Sequence, residues 1–205
     1  MPCYPINQLE EIKEYYDREG IVCVKNLLSD AHALSQQVSQ LPLHNDTRVA
    51  SRKTVCLPNH HSVSKTMYAD KSLQQLFYHL HQYRLQPNEF PLEYREYQPY
   101  SNGMNWHRDL AMFEYPYQVE MVYTVFNNDD KTRFEWEDTR GQIQTIQPKP
   151  NDMVFVRPNG PLHRVTGLGG NKRGIIKMVG RSEETPPLPT MYREKGACPM
   201  LTQKK

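Results

Sequence analysis

Residues 105–113 read N-W-H-R-D-L-A-M-F and set His107 and Asp109 two apart. On an extended chain, side chains at i and i+2 share a face, so an imidazole nitrogen and a carboxylate oxygen can address one metal ion. H-N-D at 44–46 repeats the spacing, so His-x-Asp alone says little. His44 and Asp46 lie between Pro42 and a polar loop, with no alternation around them, and read as a loop or cap. His107 and Asp109 fall in the β-patterned half of the chain. A two-histidine, one-carboxylate face with open positions suits non-haem iron(II), and it needs a second histidine. His163 is the candidate, because it follows a strand-like D-M-V-F-V-R and a turn P-N-G-P and opens H-R-V-T. His79 and His81 diverge on a helical stretch, His60 and His61 are neighbours in a polar loop, and His32 sits on a helix. All of these read as surface or partly buried residues. Ten positions beyond His163 stands Arg173. Its forked guanidinium suits a carboxylate by bidentate pairing. Buried, it would require such a partner; beside Lys172 it reads equally as an exposed turn residue.

These residues need elements to position them. Leu9, Ile12 and Tyr16 recur at helical spacing over 7–19, and Gly20 ends that helix in a left-handed cap. I-V-C-V at 21–24 is a short strand. Ser29 or Asp30 caps a second helix over 29–41. Leu73, Leu76, Phe77 and Leu80 mark one face of a third over 71–84. Beyond about residue 90 the period becomes two, with strands at 93–98, 118–126, 152–156 and 174–179. Turn-forming S-N-G, N-N-D-D, R-G, P-K-P-N-D and G-L-G-G-N separate them. This pattern predicts a mostly β protein with flanking helices (α+β), a sandwich or barrel buttressed by an N-terminal helical part. We expect one domain over 1–181, with a helical buttress over 1–90 and a β core over 91–181. A proline-rich tail over 182–205 is expected to be draped or disordered.

Composition narrows the function. A net charge of +2 over 205 residues presents no basic surface for nucleic acid or anionic membrane. The pairs Arg52-Lys53 and Lys172-Arg173 read as ordinary solvated charges. The N-terminus carries no secretory pattern, and no apolar run reaches membrane-spanning length. Cys3, Cys23, Cys56 and Cys198 form no C-x-x-C pair, which argues against a cysteine-built zinc site. Scattered so, they fit free thiols in a reducing cytoplasm. A soluble, cytoplasmic protein without nucleic-acid or membrane partners is the expectation.

The order Tyr97, His107-x-Asp109, Tyr123, His163, Arg173 resembles the Fe(II)/2-oxoglutarate-dependent oxygenase superfamily, most nearly its prolyl-hydroxylase-like and phytanoyl-hydroxylase-like members. The front end, E-Y-Y-D-R-E-G-I-V-C-V-K-N-L-L-S, is similar to the helix–strand–helix entry of many members. The resemblance implies a double-stranded β-helix (a cupin-like jelly roll), with His107, Asp109 and His163 as catalytic iron ligands. It implies that Arg173, with Tyr123 and Tyr97, binds the far carboxylate of 2-oxoglutarate, and that O2 is the oxidant, with ascorbate in support. The implied reaction hydroxylates an unactivated C–H of an amino acid, peptide or small polar substrate and releases succinate and CO2. Tyr100, Asn105, Trp106, Arg133 and Trp136 are the substrate-side candidates. Ile175 stands where many members carry Ser or Thr, so a hydroxyl for the oxoacid must come from elsewhere. Ile175 and Val179 also break the R-x-N-x-x-x-R pattern of nucleic-acid demethylases. Asp109 fills the position that halogenases leave to Gly or Ala, which favours oxygen transfer. Two other readings stay open: a jelly-roll metal- and 2-oxoglutarate-binding protein without turnover, and a cupin-like metalloenzyme that uses no oxoacid.

Overall fold

The computed structural model describes residues 3–111 and 118–181; the proline-rich tail lies outside the described residues. The helical part contains β1 (Cys3–Pro5), α1 (Leu9–Glu19), β2 (Ile21–Lys25), α2 (Ala31–Ser39), β3 (His44–Asn45), β4 (Arg52–Leu57), α3 (Ser62–Ala69) and α4 (Lys71–His81). The β part follows with β5 (Leu92–Tyr97), β6 (Gln118–Asn127), β7 (Phe134–Glu137), β8 (Ile143–Ile146), β9 (Met153–Val156), β10 (His163–Val165) and β11 (Arg173–Arg181).

Local chemistry sets the helix ends. Gly20 takes the left-handed conformation at φ 71°, where its N–H caps α1 on the Tyr16 carbonyl. The Asp30 carboxylate caps α2 by accepting from the Ala33 N–H, and Asp70 caps α4 by accepting from Leu73. α3 is an addition to the helices expected from the sequence. It is short and rich in Ser, Thr and Val, and His61 caps it by accepting the Val63 N–H on Nδ1.

Two sheets result. The larger runs β1-β2-β9-β6-β11-β5-β4-β3, and the smaller runs β10-β7-β8. All described pairs are antiparallel except β1 with β2. Strand alternation divides the large sheet cleanly. Val22, Val55, Leu57, Tyr94, Met121, Tyr123, Phe155, Ile176 and Met178 join the helix residues Ile12, Leu34, Met67, Leu76 and Phe77 in the main core. Strand residues of the opposite parity, including Cys23, Val154, Val156, Tyr97 and Ile175, belong to separate clusters on the other face. That second face is where the site lies.

The cysteines depart from the expected free thiols. Cys3 and Cys23 are register partners across β1 and β2 and form a disulfide, with their Cα atoms 4.7 Å apart. Cys56 is disulfide-bonded as well. The wide spacing conceals the pair, because the parallel β1–β2 contact that brings residues 3 and 23 together has no sequence signal of its own. Disulfides persist in oxidising compartments, so the cysteine argument for a cytoplasmic location falls. No described helix is long and apolar enough to cross a membrane.

His81 gives the helical buttress a pH signature. Its ring lies against Phe77 at 4.8 Å, Tyr16 at 5.5 Å and Tyr83 at 5.7 Å between centroids, and its Nε2 is buried without a hydrogen-bond partner among the described residues. Burial, then Lys13 and Arg157, push its pKa down to about 4. The unfolded chain therefore binds a proton that the folded chain refuses, from about pH 6.5 down to about pH 4. Stability present above pH 6.5 should fall through that window by up to about 3 kcal/mol. Urea midpoints measured between pH 7 and 4 should show this slope, and His81→Phe should flatten it.

Candidate metal centre

Backbone contacts hold the His-x-Asp segment before any side chain acts. His107 is not in a regular strand; it forms an isolated antiparallel bridge with His163. The His107 N–H donates to the His163 carbonyl at 3.0 Å, and the His163 N–H donates back at 2.9 Å. Two residues on, the Asn159 N–H donates to the Asp109 carbonyl at 2.7 Å, and Arg108 donates to the Gly160 carbonyl. The turn before β10 thus grips the segment, and the bridge sets both histidines side by side.

The ligating atoms converge. His107, Asp109 and His163 each offer one atom within 4.8 Å of the others. The imidazole centroids are 4.4 Å apart, and His163 Nε2 lies 3.4 Å from Asp109 Oδ2. His107 Nδ1–H donates to the Asn105 carbonyl at 2.8 Å, and His163 Nδ1–H donates to the Pro161 carbonyl at 3.1 Å. These bonds fix the tautomer and leave both Nε2 lone pairs free, as a metal-ligating histidine requires. Phe134 stacks on the His163 ring at 5.4 Å and holds its plane. Burial opposes ionisation of Asp109, but Lys177 and the two imidazoles outweigh it and hold the carboxyl well below its usual range. Burial pushes the His107 pKa down, which favours the neutral, ligating form. Another trio, Cys3, Cys23 and Asp152, also lies close together, but its sulfurs are joined in the disulfide.

Arg173 is 1% exposed, inside the protein rather than in a solvated turn. Among the described residues its Nε and Nη2 have no hydrogen-bond partner, and no carboxylate forms an ion pair with it. Burial pushes its pKa down, opposed by Tyr97, its register partner on β5. Tyr97 is buried beside it, and Arg52 donates to its hydroxyl at 3.4 Å. Burial raises the Tyr97 pKa, yet Arg95, Arg52 and Arg173 together bring it below the ordinary value. The inner face therefore holds a buried guanidinium with no ion-pair partner among the described residues.

Arg52 overturns its reading as a solvated residue. It is 4% exposed and pairs with Asp46 at 2.7 Å. Asp46, read as a loop or cap, is buried; Arg48 and Arg52 overcome the cost of burial and hold its pKa at about 2. Alternation explains the pair, because Arg52 points inward from β4 while Lys53 points out.

Tyr123 does not join Tyr97. It faces the helices, its hydroxyl donating to Asn151 Oδ1 at 3.2 Å, on the opposite side of the sheet from Arg173 and Ile175. Its neighbour Thr124 takes the inner face, pairs in register with Ile175, and has a buried hydroxyl without a partner among the described residues.

The substrate-side candidates separate. Trp106 lies beneath the Arg164 guanidinium, 4.7 Å from its ring centroid, and Arg164 pairs with Glu135 at 2.7 Å. Asn105 serves the metal site through its backbone carbonyl, and Tyr100 is 78% exposed with φ 61°. Arg133 is committed to the Asp130 and Thr132 carbonyls. Trp136 is fully buried in the small sheet, paired in register with His163, so it cannot form a surface mouth.

No protein-family model matches the chain, and no curated protein matches it. Solved structures do. SnoN, a non-haem α-ketoglutarate-dependent epimerase from nogalamycin biosynthesis, is 13% identical, with 96% of this chain and 92% of that one covered at a TM-score of 0.73. HygX from Streptomyces hygroscopicus, with nickel and 2-oxoglutarate bound, is 9% identical, with 85% and 87% covered at 0.69. A Trichoplax adhaerens prolyl hydroxylase, in complex with a hypoxia-inducible-factor peptide fragment, is 13% identical, with 87% and 90% covered at 0.66. At such identities the likeness shows the fold, a mostly β architecture with helices shared with 2-oxoglutarate oxygenases.

Proposed function

We propose that this chain is an Fe(II)- and 2-oxoglutarate-dependent oxygenase whose two sheets form a double-stranded β-helix over the described part of one domain. The observation that carries the proposal is Arg173. A buried guanidinium without an ion pair is costly, and here one with no such partner among the described residues shares an inner face with a two-histidine, one-carboxylate cluster. A dicarboxylic oxoacid supplies what both need, a carboxylate for the arginine and chelating oxygens for the metal. Similarity to folds determined with metal and 2-oxoglutarate supports the same assignment.

His107, Asp109 and His163 would hold the iron. Bound there, iron supplies the activation of O2 that couples decarboxylation of 2-oxoglutarate, to succinate and CO2, with hydroxylation of a substrate C–H bond. The remaining work belongs to side chains. Arg173 and the Tyr97 hydroxyl receive the distal carboxylate, and Arg52 orients that hydroxyl. Thr124 provides the hydroxyl that Ile175 cannot, and Ile175 forms an apolar floor between Arg173 and the metal cluster. Trp106, Arg164 and Glu135 border the substrate side and suit a small polar molecule or a peptide. Tyr123 is withdrawn from the oxoacid set.

Protein supplied with Fe(II), 2-oxoglutarate and air should form succinate above a chelated control, and candidate substrates should accelerate it. Binding of both ligands with no succinate under any substrate would establish a binding protein instead. Absence of oxoacid binding would favour a metalloenzyme of another kind.

A further inference from the structure

The two oxygens of Asp109 face different partners. Oδ2 lies 3.4 Å from His163 Nε2, toward the imidazole pair, whereas Oδ1 lies 3.5 Å from Lys177 Nζ. Lys177 comes from β11, four residues past Arg173, and on the alternation of that strand Arg173, Ile175 and Lys177 share the inner face. Its ammonium also lies 3.2 Å from Glu120 Oε2 on β6. Glu120 is 2% exposed and accepts from Gln118 Nε2 at 2.9 Å. Lys177 is therefore aimed from one strand and steadied from the next.

We propose that Lys177, anchored by Glu120, is a positioning residue that occupies the outer oxygen of Asp109 and confines this carboxylate to one-oxygen metal binding. The inference rests on the iron and 2-oxoglutarate reading above. A carboxylate can ligate through one oxygen or both. An oxoacid that chelates through two atoms needs open positions on the metal, and a second bond from Asp109 would take one of them. Lys177 prevents this by giving Oδ1 a competing cation. Its ammonium already faces two carboxylates, so it is not a free receptor for a substrate anion. A half-buried ammonium is also best tolerated when so paired.

Loss of the lysine alone would strand Glu120, so the test uses Lys177→Met combined with Glu120→Gln. Lys177→Gln, which keeps a donor toward Glu120, is the second variant should the double one fail to fold. Calorimetry with Mn(II), and then with 2-oxoglutarate on the Mn(II)-loaded protein, reads the two affinities separately. The structure predicts opposite responses. Mn(II) affinity holds or rises, because a nearby positive charge is gone and a second oxygen is released. Affinity for 2-oxoglutarate falls about tenfold or more, the scale on which outer-shell partners act. Lys177→Arg should keep both close to wild type. Equal weakening of both affinities would show a merely structural lysine and overturn the inference, as would unchanged 2-oxoglutarate affinity in a variant that binds Mn(II). If the wild-type protein itself binds no Mn(II), the iron reading fails, a result separate from either of these.

Discussion

Asp109→Ala should reduce iron-dependent conversion of 2-oxoglutarate to succinate to the level of a chelated control. The loss should exceed about a hundredfold, since removing even an outer-shell partner of a metal site costs about 10- to 100-fold. The fold should survive. The segment is held by backbone bonds from His107 to His163 and from Asn159 to the Asp109 carbonyl, none of which needs the carboxylate. Lys177 keeps Glu120 as a partner. The variant should therefore melt within a few degrees of wild type in the absence of metal, yet lose the stabilisation that Mn(II) confers. Retention of wild-type succinate formation would remove Asp109, and with it the triad, from the chemistry. His107→Ala should behave alike in turnover.

Arg173→Met carries the second large effect, with an unusual sign. A charge-assisted bond contributes about 1.5–3 kcal/mol. Its loss should weaken 2-oxoglutarate binding by about 10- to 150-fold by that arithmetic. Without ligand, however, Arg173 is a buried cation with two nitrogens that find no hydrogen-bond partner among the described residues. Replacing buried charge by an apolar side chain of similar volume is often neutral or stabilising, so the ligand-free variant should melt at or above the wild-type temperature. An arginine that served the fold would give the reverse, a lower melting temperature with oxoacid affinity intact. Differential scanning fluorimetry with a 2-oxoglutarate titration separates these outcomes.

Much of this was legible before the structure because it rests on periodicity. α1, α2 and α4 carry amphipathic stripes and capping residues, and β5, β6, β9 and β11 carry period-two runs. His107, Asp109, His163 and Arg173 were singled out by residue type and order, and the fold brings the triad together. What the pattern leaves open is which face of a strand a residue takes. Tyr123 and Thr124 are adjacent, and a one-residue difference moves a side chain from the helices to the site. An offset learned from a family therefore placed the tyrosine wrongly, although Met121, Tyr123 and Val125 already share the parity of the core. Arg52 reads as a solvated charge and Asp46 as a loop or cap residue because both lie in a stretch with weak periodicity, and their burial depends on pairing with each other. Lys177 had a signal, a cation inside the apolar run G-I-I-K-M-V, two strand steps from Arg173 on the same face. The Cys3–Cys23 bond depends on parallel pairing between segments 20 residues apart, which composition does not reveal.

One site should bind a divalent metal and 2-oxoglutarate together. The melting temperature of the metal-free protein, measured with Mn(II), with 2-oxoglutarate and with both, tests it most directly. A ligand that binds only the folded state at a hundred times its dissociation constant stabilises by about 2.7 kcal/mol. Mn(II) should raise the midpoint, and 2-oxoglutarate should raise it further with Mn(II) present than in its absence, because the chelating end gains its partner only then. A midpoint unmoved by the two ligands together would contradict the account.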